Sequence, residues 1–139
     1  MTKEGEHEII ESALTAIEGI MALPILDRHK RDLINAMLWK LTEARGKHAT
    51  RYCSKAARAA ANDKKLQHDH VTTRKHLIDE IMANPDRARK IGSAAVGCTV
   101  TKEEHDTLTK ITREQPHLKG WERYEAAGIA VIDNDQEND

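Results

Sequence analysis

The chain has 139 residues, 39% apolar and 32% charged, with a net charge of −1 and no Phe. That length suits one domain with one core. The four aromatics, Trp39, Tyr52, Trp121 and Tyr124, leave the core to aliphatic side chains, which favours helices over a large sheet. No apolar run reaches the roughly 18 residues of a membrane span, the acidic start Met1–Glu6 lacks the apolar stretch of a secretory signal, and two cysteines, Cys53 and Cys98, are too few for a disulfide framework, so a cytoplasmic protein with reduced thiols is expected.

In chain order, Ile9, Ile10, Leu14, Ile17, Ile20 and Met21 recur at three- and four-residue steps and predict a helix over 3–22. Pro24 ends it and suits the first turn of the next. Leu26, Leu33, Ile34, Met37, Leu38 and Leu41 line one face of a second helix over 25–44, stopped by Gly46. These two helices should form an antiparallel hairpin, or pair across a homodimer. Residues 46–53 read as a loop, with Ser54 capping a short Ala-rich helix from Lys55 to Ala61 and Asn62-Asp63 as a turn.

Leu66–Thr72 reads as a short strand. Thr73 caps a helix carrying Leu77, Ile78, Ile81 and Met82, which breaks at Asn84-Pro85, and a shorter helix ends near Gly92. Val96–Val100 is a second strand. Thr101 and Glu104 form a capping box that opens a helix containing Leu108 and Ile111. Residues 115–120 connect to a helix over 121–127 stopped by Gly128, then a third strand over 129–132 and a disordered acidic tail, 133–139. The expected fold is thus mostly helical α+β in a single domain over 1–132. A helical hairpin (3–45) is followed by a basic segment (46–65) and an α+β half (66–132) with two or three short strands.

Charge is unevenly spread. Between positions 45 and 65 stand Arg45, Lys47, Arg51, Lys55, Arg58, Lys64 and Lys65 against Asp63, a net +6. This segment is read either as a solvated face or as a surface for a polyanion. On the second reading Arg45, Lys47, Arg51, Lys55 and Arg58 contact nucleic-acid phosphates.

The residues best suited to chemistry are His68, Asp69, His70 and His105. On a strand, His68 and His70 share one face and Asp69 takes the other. If strands 66–71 and 96–100 pair, the start of the capped helix lies beside the histidine strand. His105 then joins Asp69 or His68 as a metal ligand, leaving His70 as a general base. The order His68-Asp69-His70-Val71, a strand, then a helix bearing a histidine resembles the HNH, or ββα-metal, nuclease motif over about residues 66–110. The resemblance implies a divalent-metal-dependent endonuclease with Asp69 as metal ligand, His70 as the base that activates water and His105 as the helix ligand. It departs from the family in a helical insertion, 72–95, where a tight hairpin is usual. The alternative is a non-enzymatic regulator that binds nucleic acid or protein through the basic segment or the helical hairpin.

Overall fold

A computed structural model of the chain describes residues 2–60 and 65–137; the expected Asn62-Asp63 turn lies outside them. The fold is mostly helical α+β, as its composition implies. The chain divides into two compact units, each built from two separated stretches: 1–45 with 73–96, and 46–72 with 97–139.

The first unit is all-helical. Helix α1 (Lys3–Ala22) is capped by Thr2, whose Oγ1 accepts from the Gly5 amide at 3.0 Å, with Glu4 and Glu6 at the positive end of its dipole. Helix α2 (Asp27–Thr42) follows a short connector containing Pro24. The helices expected after Thr73 also belong here. They are α4 (Arg74–Ala83), broken at Asn84-Pro85 by a 3-10 turn, and α5 (Ala88–Ser93). The stripes predicted from sequence meet in one core of Leu14, Ile17, Ile34, Leu38, Ile78, Ile81 and their neighbours. Burying each such side chain contributes about 1.5–3 kcal/mol. Gly92 lets α5 approach α1, since a Cβ there would lie 3.1 Å from Leu14 Cδ2. Arg89 ties the same pair at the surface, reaching Glu11 at 2.7 Å and Glu18 at 2.8 Å.

The second unit carries the sheet. Its strands are β1 (Tyr52–Ser54), β2 (Leu66–His70), β3 (Gly97–Thr101) and β4 (Val131–Asp133), in the order β2-β3-β1-β4. Strands β2 and β3 are antiparallel, with Asp69 opposite Cys98 and His70 opposite Gly97. Helix α3 (Lys55–Ala59) follows β1, α6 (Lys102–Glu114) follows β3, and α7 (Trp121–Ala127) precedes β4. Val100, Leu108 and Cys98 are fully buried at its centre.

Two expectations change. Tyr52 and Cys53, expected in a loop, form with the capping Ser54 the interior strand β1, paired with β3 on one side and β4 on the other. Three residues give no readable periodicity, so the strand is fixed by its partners. The acidic tail was expected to be disordered from Asp133, yet Asp133 lies in β4 and Asn134–Glu137 form a short helix, α8. Pairing with Tyr52 and an ion pair to Arg51 at 2.9 Å hold this end. Among the described residues no helix is long and apolar enough to cross a membrane.

Candidate functional site

The antiparallel pair β2–β3 runs directly into α6, because Thr101 both ends β3 and caps the helix. Its hydroxyl accepts from the Glu104 amide at 3.2 Å, and the Glu104 carboxylate accepts from the Thr101 amide at 3.0 Å. The same carboxylate oxygen accepts from the buried Ser54 hydroxyl, which fixes the start of α6 against β1. One turn into α6, His105 comes to Asp69. The Nδ1 and Oδ1 atoms are 3.7 Å apart, an ion-pair distance too long for a hydrogen bond. His105 Nδ1 is buried and has no hydrogen-bond partner, while its side chain keeps 37% of its exposure.

Asp69 is 5% exposed and is oriented by two residues of α7 that sequence reasoning did not assign to the site. Tyr124 donates its hydroxyl to Oδ2 at 2.5 Å, and Arg123 Nη1 lies 3.4 Å from the same oxygen. Arg123 is itself fixed by the carbonyls of His70 and Val71, at 3.1 and 2.9 Å, and by Thr112 Oγ1 at 2.9 Å. Tyr124 packs into the core of this unit although the composition leaves the core to aliphatic side chains. It is 2% exposed, and its polar end holds the carboxylate. A signal existed: a buried Tyr needs a partner for its hydroxyl. Nothing local foretold that Arg123 would be buried.

Burial alone would raise the pKa of Asp69, but His105, then Arg123 and Tyr124, outweigh it and hold the carboxyl below its ordinary value. Conversely, the Asp69 carboxylate raises the pKa of His105 against the opposing effect of burial. Cys98, on the strand opposite Asp69, is pushed up to about 12 by burial, so its thiol is inert at neutral pH.

The strand alternation puts the other two histidines elsewhere. His68 and His70 stand on the opposite face of β2 from Asp69, with ring centroids 5.1 Å apart. Both are buried, and His68 Nδ1 is 3.0 Å from the Lys47 carbonyl. Asp69 and His105 therefore converge, and His68 and His70 do not join them. Of the basic candidates, Arg45 pairs with Glu6 at 2.9 Å. Arg51 is held by Asp133 at 2.9 and 3.0 Å and lies over the Tyr52 ring. Lys47, Lys55 and Arg58 have exposed positions.

A divalent cation fits part of this arrangement. One carboxylate oxygen and one unsatisfied imidazole nitrogen are suitable donors, and two bonds of about 2.0–2.2 Å reach across their 3.7 Å separation. Among the described residues no group of three or more His, Cys, Asp or Glu is arranged as ligands, so any further ligands at such a cation would be water or substrate oxygens. Comparison of the chain with protein-family models, curated proteins and solved structures returns no match.

Proposed function

We propose that the sheet-bearing unit is a small metal-dependent nuclease of the HNH, ββα-metal kind, acting on the phosphodiester backbone of a nucleic acid. One observation carries the reading. A buried imidazole nitrogen without a hydrogen-bond partner faces an ionised, oriented carboxylate across an antiparallel strand pair that leads straight into a helix. Asp69 and His105 would hold the cation, which when bound would offset phosphate charge and acidify water. Arg123 and Tyr124 keep the Asp69 carboxylate ionised and aimed. The rest of the His105 side chain is partly exposed, while the facing nitrogen and carboxylate are buried. The exposed Lys47, Lys55 and Arg58 supply positive charge for a polyanion.

The base is proposed to be His70, the residue that follows Asp69, although its ring lies with His68 on the other strand face. The test is cleavage of DNA and of RNA with Mg²⁺ or Mn²⁺ by the full chain and by His105→Ala and His70→Ala. Loss of about 10²-fold or more in His105→Ala supports the site. A comparable loss in His70→Ala supports its role as base, and full activity there removes it from the chemistry. Absence of cleavage with either nucleic acid overturns the nuclease reading.

A second reading has its own observation. Arg123 already neutralises Asp69 from within, as in a structural ion pair. The protein would then bind a nucleic acid or a protein partner without catalysis, and His105→Ala would leave that binding intact.

A further inference from the structure

The helical unit contains a cavity of about 440 Å³ between α2 and the start of α4. Arg31, Asp32, Asn35, Thr73, Arg74 and Lys75 line it. With Ile78 they make seven lining residues, of which three are cations and one is an acid, and the depression is open to solvent.

Arg74 is the unusual member. It donates to the neutral Asn35 Oδ1 at 2.6 Å and lies 4.7 Å over the Trp39 ring. Among the described residues no carboxylate reaches it. A partly desolvated guanidinium normally has a counter-ion. Burial lowers its pKa, and no neighbouring acid offsets that. Arg31 and Lys75 share one carboxylate, Asp79, at 2.7 and 2.8 Å. The cavity wall therefore carries more positive charge than its own acids balance. Asn35 accepts from Arg74 through its oxygen, which leaves its amide hydrogens to donate.

We propose that this cavity binds a phosphate group carried on a hydroxylated sugar. Arg74 takes the phosphate through its planar guanidinium, Lys75 and Arg31 add charge, and Asp32 accepts from a sugar hydroxyl. An acid in the lining repels a bare anion and can accept from a hydroxyl beside the phosphate, which is the ground for a sugar phosphate. The proposal is independent of the Asp69–His105 site and stands or falls without it.

The test uses the full chain with Trp121→Phe, so that emission reports on Trp39 beside Arg74. Four probes are titrated at fixed ionic strength: inorganic phosphate, ribose 5-phosphate, a 5′-mononucleotide and a short single-stranded oligonucleotide with a 5′-phosphate. Saturable quenching is expected, with ribose 5-phosphate tighter than inorganic phosphate. Tightest binding by the mononucleotide assigns a free nucleotide, and by the oligonucleotide the end of a nucleic acid. Arg74→Met should weaken binding by about 10-fold or more. Lys75→Gln, at a side chain 77% exposed and so neutral to folding, should weaken it several-fold and keeps the test decisive if Arg74→Met fails to fold. No saturable change with any probe, or unchanged binding in Lys75→Gln, overturns the proposal.

Discussion

Asp69 is the residue on which the candidate site depends, and its neighbours give two expectations. Tyr124→Phe removes a hydrogen bond to a buried charge and should cost about 1.5–3 kcal/mol in urea unfolding. Arg123→Met leaves that charge without its buried partner and should cost more, about 3–5 kcal/mol. The pair also sets a pH dependence. The depressed Asp69 carboxyl contributes stability above its unfolded pKa of about 3.9, which is lost as pH falls through the lower folded value. The raised His105 contributes below its unfolded pKa of about 6.5, which is lost as pH rises through the higher folded value. The melting temperature of the wild type relative to His105→Gln should therefore be highest between about pH 4 and 6.5 and fall above that window. At 37% exposure the effect is small, about 1 kcal/mol at most. A flat difference across that range would mean the two side chains do not interact. Asp69 and His105 were legible as candidates because carboxylate and imidazole sat on predictable elements. Arg123 was not, because a charged residue on a short helix reads as surface until its carbonyl partners are known.

At the scale of elements, local signals were read well wherever a cap or breaker marked them. Ser54, Thr73 and Thr101 cap the helices that follow them as expected, and Thr2, not singled out from the sequence, caps α1. Gly128 ends α7 in the left-handed region at φ +69°, which a side chain enters only at a cost. Thr101→Ala should destabilise the protein by about 1 kcal/mol. It should also reduce any activity, since the same cap aims α6 and with it His105; calorimetric melting and cleavage rates measure the two effects. Strands were harder. β1 has three residues and no alternation, and only its two neighbours make it a strand. β2 and β3 match the expected strands to within two residues at either end, but their pairing joins segments on either side of a helical stretch, which no local pattern encodes.

That segment explains the molecule as a whole. Residues 73–96 separate β2 from β3 and α6 in the chain and fold with the N-terminal hairpin. Leu77, Ile78, Ile81 and Ile91 announced an apolar face, but not which core would receive it. Overall charge behaves similarly. The net +6 of positions 45–65 suggested an open basic surface, yet Arg45 and Arg51 pair with Glu6 and Asp133. Asp133→Asn together with Asp135→Asn should release Arg51, which both carboxylates hold, and strengthen polyanion binding by a few-fold at low salt, an effect that disappears as ionic strength rises. Fluorescence anisotropy of a labelled oligonucleotide across a salt series would show it.

Whether Asp69 and His105 hold a cation is decided by calorimetric titration of Mn²⁺, Ni²⁺ and Zn²⁺ into the full chain, His105→Ala and Asp69→Asn. One-to-one binding of at least one of these cations by the wild type is expected, with its loss in both variants while their helical circular dichroism is retained. No binding by the wild type, or undiminished binding by folded variants, would contradict it and leave Asp69 and His105 as a structural ion pair.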